Sequence, residues 1–224
     1  MEHSFWAQPI HTTDGKLLGV EVLTKFEQPG LYQVINPKYY IKSLSTEAKR
    51  QLLIDQLLTI AEHSQWFRHN KQFCNVNIDN DLAELLLNDP WLKNIVMQLP
   101  FVRLEISEDF KGLNEGMNNP VLKGLVENLN VLWLDDLGSG KANMQAVITQ
   151  VYEVVKLDRK FYRQEVEKPY FIEMVRNIRK YCDWIVVEGV EFIEELPILK
   201  QADIWGVQGF LYKSVPLTKI QTLI

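Results

Sequence analysis

The strongest constraint in this sequence is an alternation. Short apolar runs rich in β-branched and aromatic residues are each followed by a stretch with helical spacing. The runs cover residues 5–10, 17–26, 73–78, 101–106, 131–134, 151–157, 184–187 and 204–211. Several are nearly unbroken in apolar residues, the pattern of strands covered on both faces. The segments between them carry helix punctuation. Ser45 or Thr46 caps a helix expected to run to about Phe67. Asn119-Pro120 supplies a cap and a first-turn proline ahead of the stripe Leu122, Leu125, Val126 and Leu129. Pro169 is expected to start another helix, with Ile172, Val175 and Ile178 facing inward. Eight strands alternating with helices give the α/β class, a TIM-like (β/α)8 barrel filling a single domain over residues 1–224. The first two runs lie close together around Thr13-Asp14-Gly15, a hairpin signal, so one strand near the N-terminus is expected to be antiparallel.

Within that frame the polar residues are placed unusually. Glu21 sits in Gly19-Val20-Glu21-Val22-Leu23, Asn77 ends Cys74-Asn75-Val76-Asn77, and Glu105 ends Phe101-Val102-Arg103-Leu104-Glu105. Asp135-Asp136 follows Val131-Leu132-Trp133-Leu134, Lys156 lies inside Val154-Val155-Lys156-Leu157, and Glu188 ends Ile185-Val186-Val187-Glu188. From Asn77 the successive steps are 28, 30, 21 and 32 residues, each about one strand-plus-helix unit. A lone Glu in an apolar run is ordinarily an edge or turn residue, and a lone Asp pair before Gly a loop and cap. One per unit is different, because parallel barrel strands end on a common rim, where barrel enzymes keep their active sites.

Five carboxylates (Glu21, Glu105, Asp135, Asp136 and Glu188) would then share a small, partly dry space, which requires a cation or protonation. The donors are oxygens, with no Cys or His among them, and that selects Mg²⁺ or Mn²⁺ over zinc. Adjacent Asp135 and Asp136 suit a pair of ions, the usual apparatus for in-line displacement at a phosphodiester. Lys156, held protonated by its neighbours, is placed to orient a water or to steady charge on phosphate.

Composition narrows the partners. The 24 Lys+Arg against 29 Asp+Glu give 24 − 29 = −5, which argues against a nucleic-acid polymer. No apolar run reaches the roughly 18–20 residues of a membrane span, and the N-terminus lacks a signal-peptide pattern, so a cytoplasmic location is expected. Cys74 and Cys182 form no disulfide framework and lack zinc spacing.

These elements together resemble the EAL-domain family of cyclic-di-GMP phosphodiesterases, as a stand-alone EAL domain. Gln8-Pro9-Ile10 with Gly19-Val20-Glu21-Val22-Leu23 is similar to the family's opening, with Val22 where the signature has alanine. Asn75-Val76-Asn77-Ile78 resembles its asparagine strand, Glu105-Ile106-Ser107-Glu108 its Glu-x-x-Glu element, and Asp135-Asp136-Leu137-Gly138-Ser139-Gly140 its Asp-Asp-Phe-Gly-Thr-Gly loop. Val155-Lys156-Leu157-Asp158, Glu188-Gly189-Val190-Glu191 and Gln208-Gly209-Phe210 complete the ordered set.

The resemblance implies a barrel with one antiparallel strand and metal-dependent hydrolysis of cyclic di-GMP to linear 5′-pGpG, favouring motility over adhesion and biofilm. It implies that Glu21, Asn77, Glu105 and Asp135 ligate one ion, and that Asp135, Asp136 and Glu188 serve a second. Lys156, Glu188 and Glu21 become the catalytic set, with Lys156 and Glu188 assisting the nucleophilic water. Gln8, Lys25 and Gln208 become substrate contacts or part of the polar ring, and Glu108 and Glu191 brace the loop after the Asp pair. A homodimer near that loop is a further family habit.

Departures temper this assignment. Lys25 stands where the family usually has Arg, losing the bidentate phosphate fork. Leu137 and Ser139 replace Phe and Thr, and Lys213-Ser214-Val215-Pro216 differs from the usual Ser-Lys-Pro ending. The alternative is a non-catalytic EAL-like barrel that acts as a cyclic-di-GMP receptor or a protein-interaction module.

Overall fold

The computed structural model describes residues 2–27, 36–129, 131–139 and 143–224. The hairpin at Thr13-Asp14-Gly15 forms: β1 (Glu2–His11) pairs antiparallel with β2 (Leu17–Glu27), and Gly15 takes the positive φ of 83° that the turn requires. Three helices follow, α1 (Pro37–Ser43), α2 (Thr46–Glu62) and α3 (Ser64–Asn70). The chain then runs β3 (Phe73–Asn77), α4 (Asn80–Asn88), α5 (Pro90–Gln98), β4 (Val102–Ile106), α6 (Pro120–Asn128), β5 (Leu132–Leu137) and α7 (Met144–Ile148). It finishes with β6 (Val154–Leu157), α8 (Arg159–Glu165), α9 (Phe171–Ile178), β7 (Trp184–Glu188), α10 (Leu196–Gln201), β8 (Gly206–Gln208) and the two-residue β9 (Val215–Pro216).

Strands β2 to β8 pair in sequence order, all parallel, and β1 joins β8 to β2 by antiparallel pairing on both sides. Eight strands therefore close into a barrel, with β9 added against β1 at Trp6 and Ala7. The expected fold class is the observed one. The helical expectations hold in outline, with two shifts. The helix begun at Ser45 breaks at His63 (φ −100°, ψ 9°) into α2 and α3 instead of running through to Phe67. The helix expected from Pro169 starts at Phe171 and buries Phe171, Val175 and Ile178, while Ile172 is only partly covered. The Asn119 cap forms as read, its side chain accepting from the Val121 and Leu122 amides.

Two interior regions account for the packing. The larger lies between strands and helices and includes Leu53, Leu57, Ile60, Leu86 and Leu104, all almost fully covered. The smaller plugs the inside of the barrel: Ile10, Trp133, Val154 and Val186, with Leu18, Phe73 and Trp205 against them. Strand side chains alternate with period two, so the next inward residue towards the strand C-termini is displaced by two. Those residues are Asp135 above Trp133, Lys156 above Val154 and Glu188 above Val186. On antiparallel β1 the same step runs backwards, from Ile10 to Gln8, which faces Glu21 directly. An apolar floor under a charged ceiling thus follows from the pleat.

Candidate metal centre

Each strand end is held before it presents its polar side chain. The buried Gln56 of α2 donates from Nε2 to the Val22 carbonyl at 3.0 Å, fixing β2 one residue beyond Glu21. Lys49 Nζ lies 2.6 Å from both Asp79 Oδ2 and Asp81 Oδ2, and Asp79 caps α4 just after Asn77. After β5, Asp136 occupies the left-handed region at φ 57°, which Asp tolerates better than most residues. Gly138 follows at φ 96°, where a Cβ would collide with the Phe161 ring.

At the centre stands the ammonium of Lys156, a fully buried side chain. Its Nζ lies 2.7 Å from Glu105 Oε1, 2.8 Å from Glu188 Oε1, 3.0 Å from Glu21 Oε2 and 3.2 Å from Asp135 Oδ1. Glu21 is gripped on both oxygens: Asn77 Nδ2 donates to Oε1 and Gln208 Nε2 to Oε2, each at 2.6 Å. Asp135, Asp136 and Glu188 each offer an oxygen within 4.8 Å of the others. The residues separated along the chain by one structural unit therefore meet on one rim, as their spacing suggested.

The electrostatics record a shortage of positive charge. Burial, with Asp135 and Glu108 beside it, pushes Asp136 up to about 9. Burial and the Asp135 charge push Glu188 up to about 8 against the pull of Lys156. Burial, Glu21 and Asp135 hold Glu105 well above the usual carboxylate range, and burial also raises Asp135. Burial acts upward on Glu21 as well, but Lys156, Gln208 and Asn77 outweigh it and keep that carboxyl low. Lys156 is raised well above its ordinary value, because four carboxylates outweigh its burial.

Such a set fits hard divalent cations. All the donors are oxygens, the carboxylates are crowded enough to resist joint ionisation, and the buried Gln208 Oε1 has no hydrogen-bond partner among the described residues.

The other residues of the set lie around this centre. Lys25 does not turn towards the carboxylates: its Nζ lies over the Trp6 ring, 3.1 Å from the centroid. Glu108 does adjoin the Asp pair, raising Asp136 and accepting from Lys38 Nζ at 2.9 Å. Glu191 braces another element, its Oε1 meeting Arg159 Nη2 at 2.6 Å and Arg163 Nη2 at 3.4 Å. Both arginines belong to α8, so among the described residues Glu191 ties the segment after β7 to that helix. Gly140 at the end of the loop motif lies outside the described residues.

One partner was missed. Asn75, fully buried, donates from Nδ2 to Glu105 Oε2. Its signal was an amide two positions before Asn77, and hence on the same strand face. A cavity of about 490 Å³ opens beside the centre, its wall including Leu23, Lys25, Lys38, Leu53, Asn77 and Asp136.

Comparison with known proteins follows the same lines. The EAL domain family model matches residues 2–214. The putative anti-FlhC(2)FlhD(4) factor YdiV of Escherichia coli K12 is 30% identical, over 96% of this chain and 92% of that one. The cyclic di-GMP phosphodiesterase PdeH of the same strain is 27% identical, over 100% of this chain and 88% of that one. Among solved structures, the EAL-like domain protein YdiV superposes with a TM-score of 0.90 at 29% identity, covering 99% of this chain and 96% of that one. The EAL enzyme Bd1971, with cAMP and cyclic-di-GMP bound, gives 0.78 at 19% identity, covering 100% of this chain and 65% of that one, a likeness of fold.

Proposed function

The chain belongs to the EAL domain family, and on that premise we propose that its rim binds cyclic di-GMP and, with two Mg²⁺ or Mn²⁺ ions, hydrolyses it to linear 5′-pGpG. One observation carries this reading. Glu21, Glu105, Asp135 and Glu188 all close on the single ammonium of Lys156, with Asn77 and Gln208 locking Glu21. Glu21, Asn77, Glu105 and Asp135 would hold one ion, and Asp135, Asp136 and Glu188 the other. When bound, such ions supply Lewis acidity at phosphate and a more acidic water.

The chain's own residues then have distinct tasks. Water adds to phosphorus as the P–O3′ bond of one linkage breaks, leaving a 5′-phosphate at one end and a 3′-hydroxyl at the other. Glu188 Oε1, 2.8 Å from Lys156 Nζ, takes the water's proton, which returns through solvent to the departing O3′ as it becomes the 3′-hydroxyl. Lys156 orients that water and steadies charge on the phosphoryl oxygens. Gln8, across from Glu21 on the same face, reads a guanine edge, and Lys25 leaves the Trp6 ring to meet the second phosphate. The apolar floor beneath excludes water from below.

A second reading, a protein-interaction module, draws on a different observation. The relative named as an anti-FlhC(2)FlhD(4) factor has a higher identity than PdeH, and its structure superposes better than the ligand-bound Bd1971. By likeness alone this reading ranks first; the chemistry of the rim favours hydrolysis. Incubation with cyclic di-GMP and Mn²⁺, followed by chromatography, separates them. Linear product that vanishes with EDTA and in Glu21→Ala supports the enzyme. Binding without turnover makes the chain a receptor, and neither binding nor turnover leaves the protein-interaction reading.

A further inference from the structure

Helix α1 has no fully buried residue, so among the described residues apolar packing does little to fix it. Its ring contact is Tyr40 against Phe26, with centroids 4.5 Å apart. Lys38 and Lys42, one turn apart and hence on one face, reach across to the segment after β4. Lys42 Nζ lies 2.5 Å from Asp109 Oδ2. Lys38 Nζ lies 2.9 Å from Glu108 Oε1, 3.6 Å from Asp109 Oδ2 and 3.8 Å from Asp136 Oδ2. Asp136 is a member of the Asp135, Asp136, Glu188 triad.

We propose that Lys38 is a built-in competitor for the second divalent ion, its ammonium occupying the Asp136 side of the rim and yielding when a cation binds there. The inference rests on the reading of the rim as a metal centre. Three features support it. Lys38 is half-exposed, so its head can swing into water while the stem stays along the cavity wall. Glu108 and Asp109 keep a claim on the ammonium, so α1 stays docked after Asp136 is released. Lys156 reaches carboxylates on both sides of the rim, whereas Lys38's ion-pair partners among the described residues are Glu108, Asp109 and Asp136, none of them on the Glu21–Asn77–Glu105 side. Lys38 therefore acts on one ion and leaves the other alone, which makes the two affinities unequal.

The test is Mn²⁺ binding to the full chain without dinucleotide, counted from the free-ion EPR signal and by calorimetry. In Lys38→Met the weaker Kd tightens about tenfold, the effect of removing one unit charge about 5 Å from a divalent ion under near-aqueous screening. The tighter Kd stays within about twofold, because an exposed charge acts over a short, screened range. Lys38→Arg keeps the charge and stays near wild type. Lys42→Met, whose partner Asp109 is not a ligand, serves as the control. A second binding class that appears only in Lys38→Met also supports the proposal. A weaker Kd that is unmoved in Lys38→Met, or moved equally in Lys42→Met, overturns it while leaving the metal centre intact. If neither wild type nor Lys38→Met binds Mn²⁺, the metal centre and the proposal fall together.

Discussion

Replacing Lys156 by Met is the sharpest perturbation of this barrel. The two side chains are similar in length, so Lys156→Met removes the charge and leaves little cavity. The ammonium is fully buried with four carboxylate oxygens between 2.7 and 3.2 Å. In the metal-free protein Asp136 and Glu188 already sit at about 9 and about 8, so both are largely protonated at pH 7. Removing one positive charge forces one more carboxyl to take a proton. Glu21 is the natural candidate, since Lys156 is the largest influence holding it low. With its ordinary value at 4.5, that proton costs 2.5 pH units of free energy, on the order of 3–4 kcal/mol at pH 7. The figure lies within the 3–5 kcal/mol typical of breaking a buried ion pair. For a chain of 224 residues it corresponds to a fall of about 7–14 °C in Tm. The deficit should shrink as pH approaches 4.5, where the proton becomes free of cost. Thermal melts of both proteins in EDTA between pH 4.5 and 8 test this. A Tm within 2 °C of wild type at pH 7, or a deficit that grows on acidification, refutes the reasoning.

Three further outcomes follow from the same geometry. Asp135→Asn weakens the oxygen shared by both ions and should cut turnover of cyclic di-GMP by at least ~10²-fold, read by chromatography of the linear product; a near-normal rate removes Asp135 from the centre. Because Asp136 and Glu188 hold protons up to about 9 and about 8, the unfolded chain ionises first as pH rises above 4.5, so the metal-free Tm should fall between about pH 5 and 9. Mn²⁺ should flatten that slope and release protons at pH 7, measurable by calorimetry in buffers of different ionisation enthalpy. Lys25→Arg should tighten cyclic di-GMP binding, since a guanidinium forks onto phosphate, and unchanged affinity would show that Lys25 stays on Trp6.

Much of this was legible in the sequence because strands and barrels impose simple periods. The one-per-unit spacing of Asn77, Glu105, Asp135, Lys156 and Glu188 translates directly into a ring, since every parallel strand delivers its C-terminal inward residue to the same rim. The hairpin at Gly15 announced the antiparallel β1 for an equally local reason, a turn that needs positive φ. What no local pattern specifies is tertiary. Lys25 faces the same side as Glu21, but the indole of Trp6 on the neighbouring strand captures its charge. Glu191 follows the family motif, and Arg159 and Arg163 of α8, which no local pattern ties to it, are its ion-pair partners among the described residues. Lys38 has no sequence signal at all: it reaches Glu108 across 70 residues of chain, from a helix whose surroundings no local pattern specifies.

The energetics of the rim bear on the choice between hydrolysis and simple partner binding. Four carboxylates closing on one buried ammonium, with a fifth beside them, are a poor way to stabilise a barrel. Replacing such groups with well-packed apolar side chains is commonly neutral or stabilising. The lower layer shows that this chain can fill the barrel in that way, with Trp133, Val154 and Val186 directly beneath Asp135, Lys156 and Glu188. A scaffold needed only for an external partner has no use for the second layer, because a partner touches loops and helix faces, not the barrel interior. The charged layer makes physical sense when a cation completes it. The protons on Asp136 and Glu188 then leave, the repulsion becomes ligation, and the layer that weakens the metal-free fold becomes its most tightly bound part. Metal titration of the wild-type chain therefore separates the two readings before any substrate is added. A Tm that rises by several degrees in Mn²⁺, at a pH where the carboxylates are half-protonated, is the signature of a metal-binding centre, which turnover of cyclic di-GMP then marks as catalytic or not. A Tm indifferent to Mn²⁺ would leave the buried charge unexplained by catalysis and would favour the partner-binding barrel.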